Sequence, residues 1–434
     1  MTTPPTSTPT LRRIFGSPPP PPPELPTASF SAPPSSWLNS TERLVHQFAK
    51  ALSVRISRHL EQQYQPQPRL QPQFYDMIAS NSTVFTSSIC KEHFLPWTSN
   101  NNNNINSSSS SSSVDDDFFQ SCYLWVNQIT PFIRFSHLTA NQAILDATET
   151  TSTNHAGVGA VIHILDLDIT QGLQWPPFMQ ALSERSSTNP SPVHAPSPPI
   201  LRITGCGRDL TRLNRTGDRL SRFAHSLGLR FEFHPLLLHD GDPASLALRL
   251  RDPESLSVVP EEILAVNCVH YLHNLVTDDP RDIRMVLSAI KALNPRIVTA
   301  AEREANHGAT AFAQRFSEAV DHYAAVFESL EATLPPNSRE RLTLEQWWFG
   351  REIMDIIAAE EAERRQRHQR YEVWEAMFRS SGFCNVPIGG FALSQAKLLL
   401  RLHYPSEGYK LQSLKNSLFL GWQNHLLFSV SSWR

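Results

Sequence analysis

The feature that most constrains the fold is a short apolar run, Val158–Asp166, that ends in an acidic residue. Its length and its β-branched residues are typical of a strand that is buried on both faces of a sheet. Similar runs follow, with helical patterns between them, at Ile200–Gly205, Leu229–Phe233, Ile263–Val269 and Arg296–Ala301. This alternation predicts an α/β fold with a doubly wound, mostly parallel sheet of the Rossmann type, like that of methyltransferases that use a nucleoside cofactor.

The segment before these runs predicts helices instead of strands. Apolar residues at helical spacing indicate one helix at Thr41–Leu52 and two more within Cys122–Ala147. We therefore expect residues 39–155 to form a mainly helical cap, with additional cap helices around residues 340–375.

The rest of the chain, residues 156–434, is expected to form the α/β core. Near its end, Ser417–Trp422 and Leu426–Trp433 flank a polar turn, which predicts an antiparallel C-terminal hairpin. Within the core, Glu360–Arg370 places acids four residues before arginines, a spacing that favours an exposed helix whose charges pair with one another.

Composition excludes several classes of protein. A net charge of −3 excludes a globally basic nucleic-acid binder, and five scattered cysteines argue against a structural zinc site or a disulfide scaffold. No apolar run approaches the roughly 18 residues that span a bilayer, so we expect a soluble intracellular protein without a membrane partner. Residues 1–38, rich in Pro, Ser and Thr, predict a disordered tail, and residues 98–117, rich in Asn and Ser, predict a disordered insert in the cap.

The turn after the first predicted strand is the first place to look for a ligand, because open α/β sheets bind ligands at the carboxyl ends of their strands. A nucleoside cofactor needs a glycine-rich turn there and an acid after the second strand. This turn has the single glycine Gly172 and the bulky Leu167 and Ile169, and no carboxylate follows the second strand before Asp209. We therefore expect no cofactor and no catalysis, and a surface used for recognition.

The candidate functional residues of this turn combine carboxylates, amides and an indole. They are Asp166, Asp168, Gln171, Gly172, Gln174 and Trp175, with His163 in the preceding strand. His163 lies within an apolar run, where a core histidine with hydrogen-bond partners is more common than a catalytic base. Two other histidines, His270 and His273, lack a third ligand nearby, so no metal site is expected.

A stripe of arginines is the main electrostatic feature of the sequence. At about 100° per residue on a helix, its members fall within an arc of roughly 80°. Such a stripe fits contact with the phosphates of DNA, and an equally weighted alternative is an exposed face that pairs with Asp209 or Asp218. The candidate phosphate-binding residues are Arg208, Arg212, Arg215, Arg219 and Arg222.

An ordered set of motifs resembles that of the plant GRAS family. Ile162–Asp166 resembles the VHIID core of these proteins, and Leu201–Gly205 resembles the segment that accompanies it. The further matches, in chain order, are Pro260 for the P element, Phe327 for the FY element, Arg351 and Glu352 for the RE element, and Trp422 with Ser431–Trp433 for the SAW element.

The resemblance extends from about Ser40 to Arg434 and is strongest to the Lateral suppressor branch. It implies a nuclear transcriptional regulator with a helical cap on a methyltransferase-like core. It also implies binding to DNA, directly or through zinc-finger transcription factors, and homo- or heterodimers with other GRAS proteins. The branch implies a role in the initiation of axillary meristems and therefore in shoot branching.

Several alternatives remain open from the residues themselves. The chain either contacts DNA through its arginines, acts as a co-regulator scaffold that never touches DNA, or, on fold order alone, is an S-adenosylmethionine-dependent methyltransferase. Arg351 and Glu352 form either a structural ion pair or a partner contact, and Trp422 and Trp433 are expected to anchor the last strands in the core.

Overall fold

The computed structural model describes residues 39–63, 111–149, 161–187, 199–238, 242–252, 256, 258–259, 262–360 and 363–434. The expected tail, residues 1–38, and most of the expected insert, residues 98–117, lie outside these ranges. Residues 111–117 of the insert are described, and they are helical instead of a loop because they begin the helix Ser111–Ile129.

A mixed sheet of nine strands forms the centre of the described part of the chain. The strands are β1 (Val161–Asp166), β2 (Ile200–Gly207), β3 (Arg230–Leu237), β4 (Ile263–Val269), β5 (Ile297–Arg303), β6 (Asn385–Val386), β7 (Tyr409–Leu414), β8 (Ser417–Trp422) and β9 (His425–Trp433). Their order is β3-β2-β1-β4-β5-β9-β8-β7, and β6 pairs with β9. The first five strands are parallel and β9 runs antiparallel to β5, which confirms the predicted doubly wound sheet and its C-terminal hairpin.

The helices of the described segments cover both faces of this sheet. They are α1 (Ser40–Gln63), α2 (Ser111–Ile129), α3 (Phe132–Glu149), α4 (Trp175–Ser187), α5 (Leu210–Ser226), α6 (Pro243–Leu250), α7 (Pro280–Ala292), α8 (Phe312–Thr333), α9 (Arg339–Thr343), α10 (Phe349–Ala358), α11 (Tyr371–Ser380) and α12 (Gly390–His403). A π-helical turn at Leu344–Trp348 joins α9 to α10.

Successive side chains of β1 point to opposite faces of the sheet, and this explains why helices pack on both faces. Ile162 and Ile164 pack into one core with α4 and α5, whereas Leu165 packs into another core with α6 and α7. A third core joins α1, α2, α8 and α10 to the antiparallel strands, and we call this helical layer the cap. Helix α3 links the two regions, because it contacts β4, β5, β9 and α4.

The charged segment that the sequence predicts as an exposed helix, Glu360–Arg370, does not form one. Apart from a single 3₁₀ residue, the described residues 363–370 are irregular, and the side chains of Arg364 and Arg367 are buried. Arg364 donates to the backbone oxygen of His307 (2.6 Å), and Arg367 pairs with Asp278 (2.5 Å). The prediction was wrong because these long-range partners replace the pairing between neighbours on a helix.

Candidate functional site

The turn after β1 lies where the order of the parallel strands reverses. Strand β1 pairs with β2 on one side and with β4 on the other, and the chain crosses over the sheet in opposite directions from this point. In enzymes with this fold the ligand occupies the crevice at such a point. The contents of the turn therefore decide whether a cofactor can bind.

The carboxylate of Asp166 is fully engaged inside the protein. Its Oδ1 accepts from Nδ2 of Asn267 (3.0 Å), and its Oδ2 accepts from the indole Nε1 of Trp175 (2.9 Å). Burial raises the pKa of Asp166 to about 7, although both hydrogen bonds oppose this increase. This side chain holds the turn against β4 and is not available to a ribose.

Side-chain amides extend these contacts from the sheet to the cap. Gln174 and Asn267 exchange two hydrogen bonds, from Gln174 Nε2 to Asn267 Oδ1 (3.0 Å) and from Asn267 Nδ2 to Gln174 Oε1 (3.1 Å). Asn141 of α3 donates to the backbone oxygen of Gln174 (2.8 Å), and Thr299 of β5 donates to Asn267 Oδ1 (3.0 Å). We call this set the amide network: Asn141, Asp166, Gln174, Trp175, Asn267 and Thr299.

Apolar contacts also pack the turn closely against the second strand and α5. Ile169 packs against Gly205, where an added Cβ would lie 2.9 Å from the Ile169 Cδ1 atom. Gly172 has a φ of +65°, and a Cβ on it would lie 2.9 Å from Cγ2 of Thr216 on α5. The glycine therefore allows close packing of the turn on α5, and it does not open a space for phosphate or ribose.

Asp168 and Gln171 lie at the rim of the same turn. Burial raises the pKa of Asp168 to about 6, and the charge of Arg208 opposes this increase. Gln171 donates from Nε2 to the backbone oxygen of Gln120 on α2 (3.3 Å). The turn residues predicted from the sequence thus lie together, but their contacts are with the cap, the sheet and α5.

His163 is a core histidine with both ring nitrogens paired. Its Nδ1 lies 2.8 Å from Oε2 of Glu262, and its Nε2 lies 2.8 Å from Oγ1 of Thr204. Arg202 pairs with Glu262 from the other side. Burial lowers the pKa of His163, while Glu262 opposes this shift. The side chain lies within β1 and stays away from the turn surface.

The arginine stripe lies on the outer face of α5. Helix α5 begins at Leu210 after its N-cap Asp209, so Arg208 precedes the helix, contrary to the predicted stripe of five on one helix. Leu213 and Leu220 are buried against the sheet, which turns Arg215, Arg219 and Arg222 to the exposed side.

Part of this stripe is used in contacts within the chain. Arg212 lies 3.4 Å from Asp209, as the paired-face alternative predicts. Arg219 donates from Nη2 to the backbone oxygen of Gln171 (2.8 Å), so it joins α5 to the turn after β1. Arg222 donates to the backbone oxygen of Asp218 (3.3 Å).

Arg351 and Glu352, which the sequence predicts as an ion pair or a partner contact, lie in different surroundings. Arg351 and Glu352 do not pair with each other, because consecutive residues of α10 point in different directions. Arg351 is exposed, whereas Glu352 pairs with Arg303 (2.5 Å) and accepts from the hydroxyl of Tyr323 (3.0 Å).

Trp433 is buried and stacks on the ring of Phe378 with the centroids 4.6 Å apart, and the buried Trp422 packs edge-on against Tyr409 with the centroids 4.9 Å apart.

A group of buried histidines was not expected from the sequence. The Nδ1 atoms of His307 and His368 lie 2.9 Å apart, the rings of His273 and His368 have centroids 4.4 Å apart, and His322 lies edge-on to His307. We call these four residues the histidine cluster. No group of three or more His, Cys, Asp or Glu within the described ranges is arranged to hold a metal ion.

Asn267 and the histidine cluster were not singled out from the sequence, and only Asn267 has a sequence signal that could have identified it. Asn267 is a lone polar residue within the apolar run of β4, and such a residue needs a buried partner, so it could have been singled out. The members of the histidine cluster are spread from residue 273 to residue 368 with no regular spacing, and only the folded chain brings them together.

Comparisons with known proteins agree with this architecture. The GRAS domain family model matches residues 28–434. Scarecrow-like protein 18 of Arabidopsis thaliana is 64% identical over 398 residues, which is 91% of this chain and 83% of that protein. Protein MONOCULM 1 of Oryza sativa subsp. japonica is 45% identical over 330 residues, which is 72% of this chain and 70% of that protein.

A solved structure supports the fold. The crystal structure of SCL7 from Oryza sativa is similar with a TM-score of 0.63 and 28% identity, and the match covers 93% of this chain and 100% of that one. No helix in the part of the chain that the structure describes is long and apolar enough to cross a membrane.

Proposed function

Because the chain belongs to the GRAS family of plant regulators, we propose that it is a nuclear regulator of transcription that promotes the initiation of axillary meristems and thus shoot branching. The observation that carries the regulatory assignment is the closed turn after β1. Asp166 accepts hydrogen bonds from Asn267 and Trp175, and Gly172 packs against α5, which supports a turn that does not hold a nucleoside cofactor. The surface remains for recognition.

The location and the developmental role have direct tests. A fluorescent fusion of the full chain in plant cells should accumulate in the nucleus, and plants that lack the protein should form fewer axillary shoots. A fusion that stays outside the nucleus, or mutants with normal branching, would contradict the respective part of the proposal.

We further propose that the arginine stripe contacts DNA phosphates. Arg215 and Arg222 are exposed on α5, and neither has a carboxylate of the described residues within ion-pair distance. Reversing their charges avoids Arg219, which holds the turn. Each phosphate contact contributes about 0.9 to the slope of log affinity against log salt, so the variant Arg215→Glu/Arg222→Glu should bind DNA more weakly and with a slope smaller by about 2.

The matched control is Arg284→Glu/Arg339→Glu, which makes the same charge change on α7 and α9, where both arginines are exposed. The two variants and the natural chain are compared by fluorescence anisotropy on random duplex DNA over a range of salt concentrations. Equal affinities and slopes for all three proteins would refute the role of the stripe.

A co-regulator that does not touch DNA is the second candidate, and exposed apolar residues on the cap favour it. Val45 and Ile56 of α1 are 60% and 59% exposed, and they are separated by three helical turns, so they share one face. Such a face suits a second GRAS chain or a zinc-finger transcription factor. The protein would then fail to bind DNA alone and would join a complex of DNA with that factor.

The methyltransferase alternative rests on fold order alone. Isothermal titration calorimetry of the chain with S-adenosylmethionine should show no heat of binding. Saturable binding would overturn the regulatory assignment and would require the turn to open.

A further inference from the structure

In the part of the chain that the structure describes, no strand lies beyond one edge of the sheet. Within the described residues, β7 pairs only with β8, so β7 is the terminal strand on this side. The terminal strand on the other side, β3, contains Pro235, which lacks an N–H group and interrupts its row of donors. Strand β7 has six residues and no proline, and it therefore offers an uninterrupted edge.

The pairing of β7 with β8 fixes which backbone groups face outward. Lys415 and Asn416 join the strands, both at positive φ, and they form a two-residue hairpin turn next to the pair Leu414 and Ser417. Beyond the other end of the strands, the N–H of Gln423 donates to the oxygen of Gly408 (2.6 Å). In an antiparallel pair, the backbone N–H and C=O groups of alternate residues point to the partner strand. The backbone groups of the even-numbered residues from 408 to 414 therefore face β8.

The backbone groups of Tyr409, Leu411 and Ser413 consequently face away from the sheet. Among the described residues, no backbone or side-chain group donates to these carbonyls or accepts from these amides outside the strand pair. Such a row is a template for pairing with another chain, and proteins commonly cover it or break it.

A groove lies beside this edge, between β7 and α12. Its volume is about 630 Å³, and Leu400, Tyr409 and Leu411 form its apolar lining. Because side chains alternate along a strand, Tyr409 and Leu411 point to the same face, so apolar side chains of an added strand at the same face would meet this groove.

The rim of the groove is basic. Lys397 and Arg401 line it from α12, one turn apart and both exposed, and Glu407 is the one acid among the described residues that line it. No carboxylate of the described residues lies within ion-pair distance of Lys397 or Arg401. In a chain of net charge −3, two unpaired cations beside an open strand edge favour an acidic ligand.

We propose that β7 is a docking edge for an extended, acidic segment of a partner protein. The segment adds as a strand to the outward backbone groups of Tyr409, Leu411 and Ser413, places apolar side chains in the groove and sets carboxylates against Lys397 and Arg401. This surface is separate from the arginine stripe, because α5 packs on β3 at the opposite end of the sheet. The proposal is therefore independent of DNA binding by the stripe.

The test uses the full chain and a displayed library of random twelve-residue peptides. We expect selection to enrich sequences in which apolar residues alternate with Asp or Glu. A fluorescent copy of the strongest peptide should bind at least ten-fold more weakly to Lys397→Glu/Arg401→Glu and to Leu411→Pro, and its affinity should be unchanged for the control Arg284→Glu/Arg339→Glu. Hydrogen exchange of the amides of residues 409–413 should slow on binding.

Leu411→Pro removes an outward donor without removing a bond to β8, and edge strands tolerate proline at such positions. Its folding is checked by thermal unfolding, and the charge-reversed variant tests the surface if the proline variant does not fold. The proposal is overturned if no acidic peptides are enriched, or if their affinity is the same for the charge-reversed chain. It is also overturned if N-methylation of the backbone amides of the peptide leaves its affinity unchanged. Oligonucleotides that bind this rim and displace the peptides would overturn it as well.

Discussion

Two clusters of buried polar side chains in this protein, the amide network and the histidine cluster, differ in how many of their polar atoms have hydrogen-bond partners. In the amide network, every side-chain nitrogen and oxygen has a partner. In the histidine cluster, Nε2 of His307, Nε2 of His368 and both ring nitrogens of His322 have no partner among the described residues. A satisfied network holds a unique structure, whereas each unpaired buried group costs free energy.

The chemistry of the side chains explains the difference. An amide carries separate donors and acceptors, so Gln174 and Asn267 can bond each other twice. A neutral imidazole has one donor and one acceptor, and the short contact between His307 and His368 requires one Nδ1 to donate and the other to accept. Charging both rings would break this pair, so the cluster is stable only when it is largely uncharged.

The first prediction is that the two groups respond to pH with opposite signs. Burial lowers the pKa of His307 to about 3 and the pKa values of His322 and His368 well below the usual 6.5. Their contribution to stability is complete above pH 6.5 and is lost as the pH falls toward 3. The pKa of Asp166 is raised, so its contribution is present below pH 3.8 and is lost as the pH rises toward 7.

Each of the three histidines changes the unfolding free energy by about 1.4 kcal/mol per pH unit in its window, and His137 and His270, whose pKa values burial also lowers, act in the same direction. Asp168 and Glu304, whose pKa values burial raises to about 6 and about 7, act with Asp166 in the opposite direction and are fewer than the histidines. The charged groups that surround the cluster do not reverse this sign. Arg303 lowers all three pKa values further, and Arg315 and Arg364 also lower that of His307. The neighbouring carboxylates pair with other residues, Glu302 with His273 and Glu352 with Arg303. Urea unfolding at pH 7.5, 6 and 5 should show a steep loss of stability, and a constant free energy across this range would contradict the comparison.

The second prediction breaks the satisfied group. Asn267→Ala removes the partner of Asp166, Gln174 and Thr299 together, so we expect a loss of about 4 kcal/mol in unfolding free energy. The matched control Thr299→Val removes a single donor and should cost about 1 kcal/mol. Equal losses for the two variants in urea unfolding would show that the network does not act as a unit.

The third prediction concerns the unsatisfied group. His322→Phe replaces a ring with two unpaired nitrogens by one of similar shape, so it should stabilise the protein by about 1 kcal/mol at pH 7.5 and reduce the loss of stability in acid. His307→Phe is the counterpart, because it removes the partner of His368 and should destabilise by about 1 kcal/mol. A loss with both variants would mean that His322 has a role beyond packing.

The two groups also show how far the sequence predicts this structure. The apolar runs of β1 to β5 and the hairpin of β8 and β9 are patterns within single segments, and the structure confirms them. Strand β7 was missed, although Tyr409–Leu414 directly precedes the hairpin and pairs with it. The turn after β1 was identified as one unit because its residues are consecutive in the chain.

The partners of the turn depend on register between distant segments. Asn141, Asn267 and Thr299 reach it from α3, β4 and β5, and no local pattern predicts that these side chains meet. The arginines of residues 363–370 were misread for the same reason: local spacing predicted pairing within a helix, but Arg364 and Arg367 bind distant groups.

The smallest predicted effect comes from the hydrogen bond by which Arg219, on the surface of α5, holds the turn after β1. Arg219→Ala removes the hydrogen bond from α5 to the oxygen of Gln171, and because this side chain is exposed we expect a loss of about 0.5 kcal/mol. Arg222→Ala is the control, since Arg222 donates only within its own helix in this part of the structure. Faster hydrogen exchange in residues 169–173 should appear in the first variant and be absent from the second. Unchanged exchange in Arg219→Ala would show that buried hydrogen bonds alone hold the turn, which would sharpen the contrast with the histidine cluster.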